Sequence, residues 1–335
     1  MGADSVGLSP GTAAAPARPL VLAVVGPTAS GKSSLGLALA AAFGGEIINC
    51  DSTAVYRGFD IGTDKLPQAE RRGVPHHLID VAAPTEVYTA ARFAADAAAV
   101  IRSVQGRGQL PILVGGTGFY YRALVRGLFP GPGADDVLRA RLTRVAERRG
   151  PSRLHRILTG VDPAAAARIM PADRKKVIRA LEVYFLTGIP LSGHLADTVS
   201  PIADCEVFTV ALALPPEQTA ARVARRVDQQ FERGIVGEVR GLLAAGVPRE
   251  ARPFGGLVYR QVMEMVDGLR GEAETRALIV TANRQYARRQ LIWFRKEPNL
   301  RWFAGPGEDP GVASRVMAAC AAAVEQQSAR LRGNN

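Results

Sequence analysis

The first 130 residues alternate between two patterns of apolar positions. Short, continuous apolar runs are typical of buried strands, and longer segments with apolar residues three or four positions apart are typical of helices. The predicted strands are 20–25, 46–50 and 110–114. The predicted helices are 34–43, 90–104 and 119–126. Because strands and helices alternate, we expect a parallel sheet with helices on both faces.

The pattern changes at the Pro-Gly-Pro-Gly segment 130–133. Residues 135–194 show only helical periodicity, and a strand pattern returns at 206–214. The last predicted helices are 217–232, 235–245, 275–296 and 310–328. The simplest organisation is a core formed by 19–129 and 206–335, interrupted by a helical insertion domain at 130–205. Residues 1–18 are mainly small residues and proline, which predicts a disordered tail.

A glycine-rich loop, residues 26–33, connects the first predicted strand to the first predicted helix. It reads Gly-Pro-Thr-Ala-Ser-Gly-Lys-Ser and fits the phosphate-loop pattern G-x-x-x-x-G-K-[ST]. Backbone N–H groups of such a loop surround a phosphate; Lys32 would add a charge and the Ser33 hydroxyl would hold Mg²⁺. We therefore predict an α/β, P-loop NTPase-like parallel sheet with an all-helical insertion domain. The expected phosphate ligands are Gly26, Pro27, Thr28, Ala29, Ser30, Gly31, Lys32 and Ser33.

The composition narrows the class of protein. Of the 335 residues, 47% are hydrophobic and 22% are charged, which is typical of a soluble globular protein. No apolar stretch approaches the ~18 residues that cross a bilayer, and the start of the chain lacks the order of a secretory signal. Cys50, Cys205 and Cys320 lie far apart, which argues for a reducing compartment and against disulfides or a zinc site. We therefore expect a cytoplasmic protein.

The positive charge is large and concentrated. The formal net charge is +11, and polyanion binding is the usual physical reason for such an excess. Twelve Arg or Lys residues lie between Arg139 and Arg179, against three acidic residues. On a helical projection Lys175, Lys176 and Arg179 lie opposite an apolar sector, and three arginines of the segment 284–295 also share one side. A solvated helix face is the alternative, but two such faces flanked by aromatic residues favour a polyanion surface.

Two predicted strand ends carry residues with possible chemistry. Asp51 follows the second predicted strand, at the sheet edge to which the glycine-rich loop also belongs. Its carboxylate could hold Mg²⁺, act as a general base, or cap the turn after the strand. The strand at 110–114 continues into Gly115-Gly116-Thr117, with no acidic residue at its end. ATP-hydrolysing proteins of this class usually have a metal-binding acidic residue at that position. Its absence argues against the interpretation of the chain as an ATPase or a GTPase.

Arg222 and Arg226 lie four residues apart and share one face of a predicted helix. Two arginines in this arrangement could clamp a diphosphate through bidentate hydrogen bonds. The spacing alone fits a solvated helix face equally well.

Six segments together resemble the tRNA dimethylallyltransferase family, and they occur in order over nearly the whole chain after residue 20. The segments are GPTASGKS (26–33), DSTAVYRGFDIGTDK (51–65), GVPHHLIDV (73–81), ILVGGTGFY (112–120), RALEVYFLTG (179–188) and RRQLIWFR (288–295). The resemblance implies transfer of a dimethylallyl group from dimethylallyl diphosphate to N6 of an adenosine. That adenosine is tRNA position 37, 3′ of the anticodon, in tRNAs that read codons beginning with U.

The resemblance also implies roles for particular residues. Asp51 would accept the N6 proton, and Thr117 and Lys32 would complete the catalytic group. The glycine-rich loop would bind the diphosphate of the prenyl donor, with Arg226 and Arg222 beside it and Ser33 toward Mg²⁺. The tRNA anticodon stem-loop would contact Asp51, Ser52, Thr53, Ala54, Lys175, Lys176, Val177, Ile178, Arg179, Tyr259, Arg260, Arg288, Arg289, Gln290, Trp293 and Arg295.

The chain departs from the family pattern at two positions and leaves other expectations open. Many members have Gln or a large apolar residue in place of Ala54, and many have Gly in place of Val258. The zinc finger of eukaryotic members is absent from the sequence. We expect a monomer with no obligate protein partner and no membrane contact.

Three other functions remain alternatives to tRNA prenylation. A small-molecule kinase would use ATP in the same loop, but it has no need of the basic insertion. A prenyltransferase acting on free adenine nucleotides would share the core and would also leave the insertion unexplained. A non-catalytic RNA-binding protein would not depend on Lys32 or Asp51.

Overall fold

The computed structural model describes residues 18–196 and 198–333, so almost all of the predicted tail at 1–18 lies outside the described residues. Contacts divide the chain into two compact units. The first unit comprises residues up to Arg92, 96–121 and the chain from Asp204 onward, and the second comprises 93–95 and 122–203. The division at 130–205 that the sequence suggests stays a prediction.

A parallel sheet of six strands forms the centre of the first unit, in the order β3-β2-β4-β1-β5-β6. The strands are β1 (Leu20–Val25), β2 (Gly45–Asn49), β3 (His76–His77), β4 (Leu110–Gly115), β5 (Glu206–Ala213) and β6 (Leu300–Ala304). Every residue of β1 is buried, as expected for a central strand that is covered on both faces.

Thirteen α-helices belong to the described part of the chain. In chain order they are α1 (Lys32–Phe43), α2 (Ala90–Gly106), α3 (Gly118–Val125), α4 (Asp136–Arg149), α5 (Pro151–Val161), α6 (Pro163–Arg168), α7 (Arg174–Thr187), α8 (Leu191–Ala196), α9 (Pro216–Glu232), α10 (Ile235–Ala244), α11 (Leu257–Val266), α12 (Glu272–Phe294) and α13 (Pro310–Gly333). None of these helices is both long enough and apolar enough to cross a membrane.

Helices cover both faces of the sheet. On one face, Val210 and Leu212 of β5 join a buried cluster with residues of α1 and α13. Thr209, which directly precedes Val210, points to the opposite face, where its hydroxyl lies 2.9 Å from the Tyr121 hydroxyl of α3. Adjacent strand residues alternate between faces, so these contacts confirm the predicted parallel sheet with helices on both sides.

The carboxyl ends of three adjacent strands bring the candidate residues to one edge of the sheet. The glycine-rich loop follows β1, Asp51 follows β2, and Thr117 follows β4. Since β4 lies between β1 and β2 and all three are parallel, these segments meet at the same edge.

The second unit is helical, as the periodicity of 135–194 predicts. Helices α4 to α7 enclose an apolar core that includes Leu142, Leu158 and Leu181. Beside this core, Glu182 of α7 has no exposed side-chain area and pairs with Arg139 at 2.8 Å and Arg179 at 2.6 Å. Burial acts to raise the pKa of Glu182, but the hydrogen bonds from the two arginines outweigh it and lower the pKa.

Candidate active site

The glycine-rich loop adopts a conformation that depends on residues with positive φ. Gly31 has φ 80°, Ala29 has φ 59°, and α1 begins directly after Gly31. A side chain at Gly31 would also collide with its surroundings, because a Cβ there would lie 2.7 Å from the backbone nitrogen of Gly307. The loop borders a cavity of about 270 Å³, which Asp51, Gly115 and Gly116 also line.

Polar groups of the loop are available at this cavity. Ser30 is fully buried, and its hydroxyl has no hydrogen-bond partner among the described residues. The Lys32 ammonium group donates to the Pro27 carbonyl at 2.6 Å. Loss of hydration inside the loop, together with the positive charge of Arg226, lowers the pKa of Lys32 to about 7. An anion in the cavity would stabilise the charged form of Lys32 and offset both effects, so the loop favours a negatively charged ligand.

The two carboxylate oxygens of Asp51 have different surroundings. Oδ1 accepts hydrogen bonds from the backbone and hydroxyl of Thr53, at 2.8 and 2.6 Å, and a longer one from the Ala54 N–H at 3.4 Å. Oδ2 makes no hydrogen bond to the described part of the chain. The turn-capping role and the general-base role are therefore compatible, because each uses a different oxygen.

Thr117 is fixed beside the turn that carries Asp51. Its Oγ1 accepts a hydrogen bond from the Ser52 N–H at 3.0 Å, and its own N–H donates to the Cys50 carbonyl at 3.1 Å. Tyr286 of α12 also interacts here: burial and the charge of Asp51 raise its pKa to about 12, and a hydrogen bond with Thr117 opposes that rise. Sequence analysis does not single out Tyr286, because in the sequence it is only one of the aromatic residues that accompany the arginines of 284–295.

A second cavity, of about 490 Å³, opens on the same turn. Ser52, Thr53 and Thr117 line it, together with Phe119 and the exposed Arg252. Asp51 and Ala54, in contrast, line the first cavity. Consecutive residues of the turn thus face two cavities, which places the Asp51–Thr117 region between them.

The two predicted diphosphate arginines occupy different positions. Arg226 lines the first cavity, donates to the Thr28 hydroxyl at 2.9 Å and pairs with Asp64. Arg222 is not part of the described cavity wall; it donates to the Ala29 carbonyl at 2.6 Å and pairs with Glu308. In this arrangement Arg226 can reach a ligand in the cavity, whereas Arg222 supports the loop from outside it.

Four of the residues predicted to contact RNA have buried side chains, and the first of them, Ala54, is 6% exposed and lines the first cavity. Val177 is 1% exposed and belongs to the apolar core of the second unit. Tyr259 is 2% exposed, and its hydroxyl donates to Glu238 at 2.6 Å. Gln290 is 5% exposed and bonds to backbone groups on both sides. The resemblance thus assigns RNA contacts to segments that include buried side chains, and these contacts stay predictions.

The other predicted RNA contacts divide into exposed and packed residues. Ile178 and Trp293 are half-buried; Trp293 packs edge-on against Phe119 at a ring separation of 6.3 Å. Arg179 also donates to the Pro132 carbonyl at 2.8 Å, so with Glu182 its guanidinium is largely used inside the unit. The exposed residues are Lys175, Lys176, Arg260, Arg288, Arg289 and Arg295.

Comparison with known proteins decides the family. The sequence model of a family described as IPP transferase matches residues 54–297, which is more than half of the chain. The chain belongs to the IPP transferase family. The chain is 47% identical over 302 residues to the tRNA dimethylallyltransferase of Solibacter usitatus, with 89% of this chain and 97% of the relative covered. It is 44% identical to that of Koribacter versatilis, with the same coverage of both chains.

Solved structures agree with the family assignment. The tRNA isopentenylpyrophosphate transferase of Bacillus halodurans aligns with this chain at a TM-score of 0.69 and 35% identity, covering 93% of this chain and 98% of the other. A eukaryotic dimethylallyltransferase acting on tRNA aligns at a TM-score of 0.76 and 26% identity, covering 92% of this chain and 80% of the other. The chain therefore has the same fold as these solved structures.

Proposed function

We propose that this protein transfers the dimethylallyl group of dimethylallyl diphosphate to N6 of the adenosine at position 37 of tRNA, and releases diphosphate. The acceptors are tRNAs that read codons beginning with U. The observation that carries the proposal is one cavity bordered by the glycine-rich loop, Arg226 and Asp51, whose Oδ2 makes no hydrogen bond to the described residues. The names of the curated relatives and the structure of a relative that acts on tRNA support the same reaction.

The glycine-rich loop binds the diphosphate of the donor. Residues 28–33 and Arg226 line one cavity wall and supply its donors, which are the backbone N–H groups after Thr28, the Lys32 ammonium group and the Arg226 guanidinium. As the allylic carbon–oxygen bond breaks, negative charge grows on the leaving oxygen. Donors that are already in place stabilise that charge without reorganisation, which is the main source of rate enhancement for such a step.

Asp51 serves as the general base. The N6 nitrogen forms a bond to the allylic carbon while the carbon–oxygen bond to the diphosphate breaks, and the departing N6 proton goes to Oδ2 of Asp51. Thr53 and Ala54 hold the other oxygen and so fix the direction of the carboxylate. General-base help of this kind is worth about 10² to 10⁴ in rate.

The residues at the first cavity are compatible with a magnesium ion that the diphosphate of the substrate would help to bind. The described residues contain no cluster of three or more His, Cys, Asp or Glu side chains that could hold a metal ion on their own. Ser33 is exposed at the cavity, and a hydroxyl with diphosphate oxygens and water is a typical magnesium environment. When bound, the ion would add positive charge beside the diphosphate.

The exposed basic residues bind the tRNA backbone. Lys175 and Lys176 lie on the surface of the second unit, and Arg288 and Arg295 lie on the surface of the first. Phosphate contacts made by such residues offset the few kcal/mol needed to take one base out of its stack. We place the protein in the cytoplasm as a monomer.

A comparison of acceptors and donors tests this function. Labelled dimethylallyl diphosphate is offered with tRNA, with AMP and with no acceptor, and ATP consumption is followed in parallel. We expect label in tRNA alone and no ATP consumption. Label in AMP would indicate a nucleotide prenyltransferase, ATP consumption would indicate a kinase, and tRNA binding without transfer would indicate an RNA-binding protein.

A further inference from the structure

Gln290 of α12 connects the two loops that border the first cavity. Its Oε1 accepts a hydrogen bond from the Thr28 N–H at 2.8 Å, and its Nε2 donates one to the Gly116 carbonyl at 2.8 Å. Thr28 belongs to the glycine-rich loop after β1, and Gly116 directly precedes Thr117 after β4. A single side chain therefore spans from the diphosphate side of the site to the acceptor side.

The surroundings of Gln290 leave little room for another arrangement. The residue is 5% exposed, and a Cβ on Gly116 would lie 2.4 Å from its Nε2. Both ends of the amide are satisfied by backbone groups. A side chain that could not reach both would leave the half-buried Thr28 N–H and the buried Gly116 carbonyl without these partners, and the loops would shift to satisfy them.

The distance that Gln290 bridges matters for the proposed chemistry. The diphosphate is held by the glycine-rich loop, whereas the amine is held near Asp51 and Thr117, so the reacting atoms belong to opposite sides of the cavity. Group transfer requires these atoms to be about 3–3.5 Å apart and aligned. Small changes in the separation of the two loops therefore act directly on the rate.

We propose that Gln290 is a positioning residue, which sets the separation between the glycine-rich loop and the Asp51–Thr117 side of the site. It acts through the backbone of Thr28 and Gly116. This role rests on the proposed function and replaces the RNA contact that the sequence suggests for Gln290.

Two substitutions and one matched control test the role. Gln290→Met keeps the volume and removes both hydrogen bonds, whereas Gln290→Asn keeps the amide but is one methylene too short to bridge. Gln261→Met is the control, because Gln261 of α11 is also buried, accepts a hydrogen bond from Arg270, and lies outside both cavity walls. Both Gln290 variants should lower kcat for prenyl transfer by about 100-fold, the usual effect of a displacement near 1 Å.

The tRNA affinity separates positioning from RNA binding. The dissociation constant for tRNA should stay within about twofold of wild type in all three variants, and the control should keep its kcat. A wild-type kcat in both Gln290 variants would overturn the proposal. Weaker tRNA binding with an unchanged kcat would overturn it as well, in favour of an RNA contact.

Binding of inorganic pyrophosphate gives a second measurement that does not need prenyl transfer. Calorimetry should show about tenfold weaker binding to Gln290→Met and no change for Gln261→Met, because the loop loses one of its supports. If the wild-type protein transfers no prenyl group while this difference persists, the proposed function is wrong, and only the support that Gln290 gives to the glycine-rich loop stands. Equal pyrophosphate affinities together with equal melting temperatures would overturn the positioning role itself.

Discussion

Oδ1 of Asp51 accepts hydrogen bonds from its own turn, whereas Oδ2 accepts none from the described residues. This difference predicts how substitution by the nearly isosteric asparagine affects the rate. Asp51→Asn keeps an acceptor for Thr53 but cannot take up a proton. We expect kcat to fall by about 10² to 10⁴, with the KM for the prenyl donor changed by less than about threefold. Steady-state kinetics with saturating tRNA measure both values.

The control for this prediction is Asp267→Asn, because Asp267 pairs with Arg249 on the surface, away from both cavities. It should retain the wild-type kcat. An Asp51→Asn enzyme that turns over at the wild-type rate would remove Asp51 as the base.

The lowered pKa of Lys32 predicts that binding of the prenyl donor depends on pH. Its pKa in the free protein is lowered to about 7, so the side chain is charged below pH 7 and increasingly neutral above it. Because the charged form binds diphosphate, kcat/KM for the donor should decrease as the pH rises past about 7. The value of kcat at saturating donor should hold to higher pH, since bound diphosphate raises the pKa again.

The check is a series of kcat/KM values from pH 6 to pH 9, in parallel with Lys32→Arg, whose side chain remains charged throughout. The variant should lack the decrease near pH 7. A flat wild-type profile over the same range would show that Lys32 is charged in the free protein.

At the scale of elements, Glu182 ties α7 to α4 and to the segment before α4. Its buried carboxylate accepts hydrogen bonds from Arg139, from Arg179 and from the backbone N–H of Asp135. Glu182→Gln leaves the two arginines without a counter-charge, and we expect the free energy of unfolding to fall by about 3 kcal/mol. Urea titration measures the change, with the exposed Glu147→Gln as the control. Equal stability of the two variants would contradict the structural role of this ion-pair cluster.

The long elements of the core could be predicted, and three smaller ones could not. Continuous apolar runs such as β1 and amphipathic helices such as α9 carry a strong periodic signal. β3 has two residues, and the half-exposed β6 lies at the sheet edge, so neither shows a buried apolar run. The sequence did not predict α11, although one side of this helix is apolar and buried. The helix is short, and the preceding pair Gly255-Gly256 is typical of a loop.

The candidate site shows the same division between local and distant signals. Lys32 and Asp51 belong to motifs that a few neighbouring residues define. Gln290 meets Thr28 across a sequence separation of 262 residues, and no local pattern contains that contact. Tyr286 was missed for the same reason: its ring fits an ordinary apolar helix face, and only the folded chain brings its hydroxyl to Thr117.

For the whole molecule, the net charge of +11 predicts a strong salt dependence of tRNA binding. The logarithm of the binding constant should fall linearly with the logarithm of salt concentration, and each lost phosphate contact should reduce the slope by about 0.7 to 0.9. Arg288→Gln and Arg295→Gln should each do so. Arg179 is unsuitable for this test because it is bound to Glu182.

Arg330→Gln is the matched control, since this exposed arginine pairs with Glu206 and matches no predicted RNA contact. Filter binding at several salt concentrations gives the slopes. Slopes for Arg288→Gln and Arg295→Gln that equal the control would exclude these residues from the RNA surface.

The modified base itself identifies the reaction of the whole molecule. tRNA incubated with the protein and dimethylallyl diphosphate is digested, and mass spectrometry locates the added group. The expected result is a dimethylallyl group on N6 of the adenosine 3′ of the anticodon, in tRNAs reading codons that begin with U, and none with Asp51→Asn. Unmodified tRNA from a folded, tRNA-binding preparation of the wild-type protein would contradict the proposed function.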